Sequence, residues 1–311
     1  MKPIQMETVP GNVSRLAKRS RTNEQLMLFI MISPFLILFL VFMVIPIISS
    51  VILSFFSYDM LSTPIFIGLT NYLRMFLFDN AFLIAVKNTL IFAVITGPIG
   101  FLLSFILAWL INEYNHFSRS ILSFIFYSPA LVGNVYFIWQ VLFSGDSYGY
   151  INGILLQLGM IAEPVQWFKD QRYALVIVMV VQLWLSMGVT FLANIAGLQN
   201  VNEGLYEAGA IDGISSRWQE LWYITIPTMR SILLFGAVIQ IQATFSISYV
   251  AMILTGFPSV NYSTHTIVTH LVDVGTIRYE MGYASAISVL LFVMMAFTRI
   301  LVGKLISMTG K

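Results

Sequence analysis

Cysteine is absent from the 311 residues, which excludes disulfide frameworks, cysteine nucleophiles and cysteine-ligated metals and leaves the compartment open. Charge is scarce: 10% of the residues are Asp, Glu, Lys or Arg, against about 25% in a soluble domain. With 58% hydrophobic residues and a mean hydropathy of +0.86, this shortage excludes a soluble enzyme, a disordered chain and a nucleic-acid partner, and places the chain in a membrane. Histidine occurs three times, at His116, His265 and His270, all in segments that read as loops, so neither a metal site nor a histidine base within the bundle has support. No Gly-x4-Gly-Lys-Ser/Thr sequence is present to hold ATP, and no Ser/His/Asp set or His-Glu-x-x-His suggests catalysis. The chain is therefore expected to have no catalytic residues, no metal and no cofactor of its own.

What the chain does contain is six long gaps between charged residues. They run from Glu24 to Asp59, Lys87 to Glu113, Arg119 to Asp146, Arg172 to Glu203, Arg230 to Asp273 and Glu280 to Arg299. A helix crossing the hydrocarbon core needs about 20 mostly apolar residues. Trimmed of polar ends, the gaps predict spans over 26–54, 86–111, 120–143, 173–197, 230–254 and 282–303. The fold class is an all-α polytopic membrane protein, with a short tail (1–25), a transmembrane domain (26–305) and a short C-terminus (306–311). An ion-driven carrier usually needs ionisable groups within its spans; the gaps hold none, so energy for uphill movement would have to enter from another subunit.

Positive flanks stay cytoplasmic. An even number of spans puts both termini on one side, and 11 of the 16 Lys and Arg residues lie there, including Arg15, Lys18, Arg19, Arg21, Arg217 and Arg230. Both termini are therefore expected in the cytoplasm. The first apolar run is too long for a signal-peptide core, and no small-residue cleavage site follows it. The outer loops, about 57–83, 144–171 and 255–281, are longer than hairpins require. Leu155, Leu156, Leu158, Ile161 and Trp167 suggest an interfacial amphipathic segment, either a cap on the bundle or a docking surface.

One cytoplasmic segment, 198–229 between the fourth and fifth spans, is dense in polar groups. Asn202 suits an N-cap with Glu203 in the first turn, and Gly213 suits the position just past a helix end, which gives a helix near 203–212. Ser216 and Gln219 form a capping-box pattern for a second helix, which Pro227 interrupts or redirects. Ala208, Gly209 and Ala210 offer a small-residue surface. Two polar stripes flank this pair: Gln182, Ser186 and Thr190 on the fourth span and Gln240, Thr244 and Ser248 on the fifth, each at i, i+4, i+8 and so on one helix face. Either they line a pathway for an uncharged polar solute, with Trp184 and Tyr249 nearby to stack on a sugar ring, or they hydrogen-bond between helices.

The segment from Glu203 to Pro227 resembles the coupling loop of ABC importer permeases, the E-A-A motif. Glu207, Ala208, Asp212 and Gly213 match it; Gly209 stands in place of the second alanine and Ile226 in place of the leucine before Pro227. One residue more than the usual spacing separates Gly213 from Ile224. The Asp-Gly pair, Gly68-Leu69-Thr70-Asn71-Tyr72, Asn88-Thr89, Tyr150-Ile151-Asn152 with Pro164 and Trp167, Leu254-Thr255-Gly256 and Tyr283-Ala284-Ser285-Ala286 resemble the carbohydrate-importer branch, so the likeness covers nearly the whole chain. It implies a coupling helix pair between the fourth and fifth spans that docks into a cytoplasmic ATPase, with coupling residues Glu207, Ala208, Gly209, Asp212, Gly213 and Pro227. It further implies a second homologous permease, an ATPase dimer that uses ATP and Mg, an external solute-binding protein, and a location in a bacterial or archaeal cytoplasmic membrane. Substrate contacts in the family fall on the same spans, approximately at Ser186, Val189, Gln240 and Thr244; Gln182 and Ser248 complete the candidate set. The expected cargo is a di- or oligosaccharide, carried through half of an alternating-access pathway. A self-sufficient secondary carrier or channel for a small neutral solute, and a membrane-embedded enzyme, are the competing classes.

Overall fold

The computed structural model describes residues 27–308; residues 1–26, which include the expected tail at 1–25 and the first residue of the expected span at 26–54, and residues 309–311 lie outside the described residues. Apolar composition dictates the first element. Helix α1, Met27–Leu53, has no buried residue in its spanning window, as a helix that largely faces lipid or another subunit would. A two-residue hairpin follows, β1 (Phe56–Ser57) antiparallel to β2 (Ile65–Phe66), with Phe56 opposite Phe66. Helix α2, Thr70–Leu77, leads into α3, Asn80–Asn112, whose N-cap Asp79 accepts from the Phe82 N–H. Helix α3 is the mast of the bundle, because one of its faces is buried along its whole length, from Phe82 through Phe92 and Gly100 to Ile111.

The third expected span is not one helix. Helix α4, His116–Leu131, carries Pro129 two residues before its end, and 132–136 runs without helix before the short α5, Phe137–Leu142. Proline removes a helix donor, and Gly133 just beyond it lowers the helical preference further. On the polar surface that follows, α6, Tyr150–Gln157, occupies part of the expected amphipathic segment.

The fourth span divides into α7, Gln171–Leu185, and α8, Val189–Gln199, across the break Ser186-Met187-Gly188. Helix α9, Glu203–Ile211, and helix α10, Arg217–Thr228, then lie at the Asn112 end of α3, and the chain turns by 80° at Met229 into α11, Arg230–Phe245. The fifth expected span breaks at Ser246-Ile247-Ser248 before α12, Tyr249–Thr255; closely spaced Ser and Gly residues are common causes of such kinks. Helix α13, Ile267–Ile277, and helix α14, Met281–Met308, complete the chain.

Among the described residues four helices, α1, α3, the α7–α8 unit and α14, are long and apolar enough to cross a membrane, with α10–α11 as a fifth when that bent pair is counted as one. Backbone breaks that no charge gap reveals divide the third, fourth and fifth expected spans. Helices α3, α8 and α11 form the central packing unit. Its core near the Asn112 end contains Phe105, Phe191, Ile195, Leu198 and Leu233. A second core, with Phe92, Val178, Val181 and Ile247, lies beside the breaks, and a third, with Met75, Phe82, Ile267 and Ile287, closes the opposite end.

Candidate functional site

The α9–α10 unit is assembled from local signals. The Asn202 side chain accepts from the Gly204 N–H at 2.9 Å and starts α9. At its other end the Ile214 N–H reaches the Gly209 carbonyl at 2.9 Å and the Gly213 N–H reaches that of Ala210 at 3.3 Å, a Schellman ending. Gly213 has φ +92°, and a Cβ there would meet open space, so the requirement for glycine is conformational rather than steric. Ser216 and Gln219 form the full capping box that starts α10.

This unit turns one side inward and leaves the other free. Gly209 is buried under Ile224 and Ile214, so the short residue lets α9 lie close on α10. The Tyr206 hydroxyl pairs with that of Thr225 at 2.9 Å. Arg217 bridges Glu113 at 2.8 Å and Glu220 at 2.9 Å, fastening α10 to the end of α3, and both carboxylates raise its pKa, Glu220 most. Outward stand Glu207, Ala208, Ala210, Asp212, Gly213 and Pro227, with Ile211 87% exposed. An acid, small side chains and a bare isoleucine on a short, well-capped helix suit docking against another protein, not chemistry.

The polar stripes behave differently. Gln182, Ser186, Thr190, Gln240, Thr244 and Ser248 are all buried inside the chain, whereas Val189 is 55% exposed. Gln240 Nε2 donates to the Thr96 carbonyl at 3.3 Å, the Thr244 hydroxyl to the Gln240 carbonyl at 2.8 Å, and the Ser186 hydroxyl to the Leu183 carbonyl at 2.6 Å. Gly100 lets them meet: a Cβ there would lie 2.4 Å from Gln240 Nε2 and 2.9 Å from Ser186 Oγ. Thr190 reaches the Gly236 carbonyl at 3.5 Å, and Thr269 reaches Ser248 at 3.4 Å. Of the six candidate substrate residues all but Val189 are thus buried inside the chain; Gln240 and Ser248 bond to other helices, whereas Ser186 and Thr244 bond carbonyls of their own segments. Asn194, which continues the 182–186–190 stripe by one more turn, is fully buried with neither amide atom paired. The same spacing of four would have found it. Trp184 packs edge-on to Trp139, and Tyr249, 60% exposed, stands against Tyr136 beside the breaks.

At the opposite end, a partly buried polar chain was invisible in the sequence. Arg74 pairs with Glu280 and covers the Tyr283 ring at 4.3 Å. Tyr283 donates to Asp79 at 2.8 Å, His270 contacts the same carboxylate oxygen at 3.1 Å, and His265 contacts His270 at 3.2 Å. Burial would raise the Asp79 pKa, but hydrogen bonds from His270, the Phe82 N–H and Tyr283 outweigh it and hold the carboxyl below its usual range. Burial, reinforced by His270, lowers the His265 imidazole to about 4. Among the described residues, no group of three or more His, Cys, Asp or Glu could hold a metal ion.

Residues 100–307, the stretch that contains both the α9–α10 unit and the polar seam, match the binding-protein-dependent transport system inner membrane component family. The chain belongs to that family. It is 30% identical over 302 residues to the probable ABC transporter permease protein YesP of Bacillus subtilis (strain 168), covering 94% of this chain and 95% of that protein. It is 30% identical to the lactose transport system permease protein LacF of Rhizobium radiobacter (86% and 90% covered) and to the arabinooligosaccharides transport system permease protein AraP of Bacillus subtilis (99% and 97%). A bacterial ABC transporter involved in import of the acidic polysaccharide alginate shares the fold, with TM-score 0.77 at 23% identity over 96% of this chain and 100% of that one.

Proposed function

We propose that this chain is the permease subunit of an ATP-driven sugar importer, forming half of the translocation pathway and coupling to a separate cytoplasmic ATPase dimer through α9 and α10. The observation that carries this reading is the outward face of α9, where Glu207, Ala208, Asp212 and Gly213 match the coupling motif and stand free of the chain's own packing. In this reading Glu207 meets a basic group of the ATPase, Gly209 sets the closeness of the two helices, and Gly213 and Pro227 set their angles. ATP and Mg are used by the partner. A second homologous permease supplies the other half of the path, and an external solute-binding protein delivers the cargo. The family and the apolar helices support a cytoplasmic-membrane location; the basic residues support placing both termini in the cytoplasm, with six crossings made when the broken third and fifth segments each count as one.

Cargo is proposed as an uncharged di- or oligosaccharide, supported by relatives named for lactose, arabinooligosaccharides and trehalose/maltose. The pathway is assigned to the face where helices break at 132–136, 186–188 and 246–248, because irregular backbone at membrane depth is tolerated where it lines a cavity or is buried in protein. Exposed Val189 and Tyr249 face that pathway; buried Gln182, Ser186, Gln240, Thr244 and Ser248 back it, Gln240 and Ser248 by bonds to other helices. The test is uptake of radiolabelled lactose, maltose and arabino-oligosaccharides by cells with and without the gene. Loss of uptake of one neutral oligosaccharide, restored by the gene, is the expected result. Unchanged uptake of every neutral sugar, with loss of a charged or non-sugar solute, would refute the cargo assignment.

A further inference from the structure

We propose that the apolar groove between α3 and α10 is a binding site for one anionic phospholipid of the leaflet on the α9–α10 side. The groove has a volume of about 340 Å³, with walls formed by Leu102, Phe105 and Ile106 of α3 and by Trp218, Trp222 and Ile226 of α10. Among the described residues its lining contains one charged side chain, Arg230, at the turn where α10 meets α11. This pairing of an acyl-sized apolar trough with a single cation at its rim is the chemistry of a phospholipid with a net negative headgroup.

Depth agrees with charge. At 1.5 Å per residue, Ile106 and Leu102 lie about 9 and 15 Å along α3 from Asn112, within the half of the bilayer nearest that helix end. Trp218, Trp222 and Tyr223 are each at least 60% exposed, and Trp and Tyr gather at the membrane–water boundary, where an apolar ring body and a polar N–H or O–H are both satisfied. Trp222 and Tyr223 sit on a one-turn π-helix, Leu221–Thr225, a widened turn of the kind that recurs at functional sites. A lipid there would be a wedge between the central helix and the helix proposed to receive the ATPase stroke. The proposal depends on the functional reading only for that consequence; occupancy of the groove is tested separately.

A photoreactive benzoylphenylalanine placed at Leu102, 52% exposed in the groove, is irradiated in native membranes, and the transporter is then purified through extensive detergent washing. A second probe at Ile300, 71% exposed on α14 and away from the groove, reports bulk lipid when irradiated only after the same washing. The expected result is that the Leu102 probe, irradiated after washing, still carries an adduct with the mass of an anionic phospholipid, while the Ile300 probe carries none. Arg230→Gln should lower the anionic share of adducts about five-fold, the worth of one basic residue near a charged headgroup. Ile106→Trp, which fills the trough from α3, should abolish the adduct while the protein elutes as a normal monodisperse peak. Equal adducts at both probes after washing, an adduct to another polypeptide at Leu102, or an adduct that survives Ile106→Trp would overturn the proposal. None of these outcomes depends on which sugar is carried or on ATPase docking.

Discussion

Gly100 lies where α3 crosses α11, and Gly100→Ala tests how closely the two pack. The added methyl would lie 2.4 Å from Gln240 Nε2 and within 3.2 Å of both Ser186 side-chain atoms, all three groups being buried between helices. Relief requires the Gln240 amide, the far end of a flexible side chain, to leave the Thr96 carbonyl, its 3.3 Å partner. A buried amide left unpaired costs about 1–3 kcal/mol, and overpacking a close-packed core costs about 1–3 kcal/mol more. Together these give roughly 2–6 kcal/mol of destabilisation for one methyl group. Thermal unfolding of the purified transporter should show the loss, and uptake should fall with it. Gln240→Ala removes the obstructing amide, so the double variant should recover part of what Gly100→Ala loses, a coupling of about 1–3 kcal/mol for residues in contact. If Gly100→Ala unfolds at the wild-type temperature, or if the two losses simply add, the seam is not packed as described and the pathway reading of Gln240 regains its place.

Gly213 at φ +92° should tolerate Asn far better than Val: Gly213→Val is expected to cost about 1–2 kcal/mol and to weaken ATPase recovery on pull-down, whereas Gly213→Asn keeps most of it, and equal behaviour of the two would remove the turn argument. Removing the exposed Glu207 carboxylate with Glu207→Ala should lower ATPase docking by roughly 1–3 kcal/mol while insertion continues; undiminished recovery would detach this residue from coupling. His265 is neutral in the folded chain down to about pH 4 because it is buried, but takes up a proton near 6.5 when unfolded. Stability should therefore fall as pH drops from about 6.5 to about 4, by up to about 3 kcal/mol, and His265→Gln should flatten that slope; Asp79, held below its usual range, contributes stability that is lost only below about pH 4. A wild-type melting temperature that does not change between pH 7 and pH 5 would contradict the burial of His265. Since the chain has no cysteine, Tyr148→Cys, at a position 93% exposed, should react with an impermeant thiol reagent in intact cells and Tyr114→Cys should not; the reverse pattern inverts the orientation.

The features legible in the sequence are those decided within a few residues. Asn202, Gly213 and the Ser216–Gln219 box act on their own turn, so their residue types suffice to place α9 and the start of α10. Charge gaps mark where the chain is apolar, but they carry no information on whether the backbone stays helical, and so Ser186–Gly188, Ser246–Ser248 and 132–136 went unseen. The stripes were found, yet a polar face that lines a path and one that ties helices together have the same spacing of four; only the position of α3, with Gly100 against Gln240, separates them. His265 and His270 read as loop residues because Asp79, the partner of His270, is distant in sequence, and His265 is tied to it only through His270. Asn152 shows the same blindness: a loop residue by pattern, it is fully buried and ties Ser144, Asp146, Val165 and Trp167 together.

The central claim is that α9 and α10 bring ATP energy into this chain from a separate subunit. Its most direct test is transport of the assigned sugar by purified components in proteoliposomes, with solute-binding protein outside and nucleotide inside. Uptake is expected only when the chain, a second permease and the ATPase are reconstituted together with Mg-ATP, and it should vanish when Ala208, exposed on α9, is replaced by Trp while the permease pair still assembles. Uptake by this chain alone, driven by an ion gradient and indifferent to ATP and to Ala208→Trp, would contradict the account.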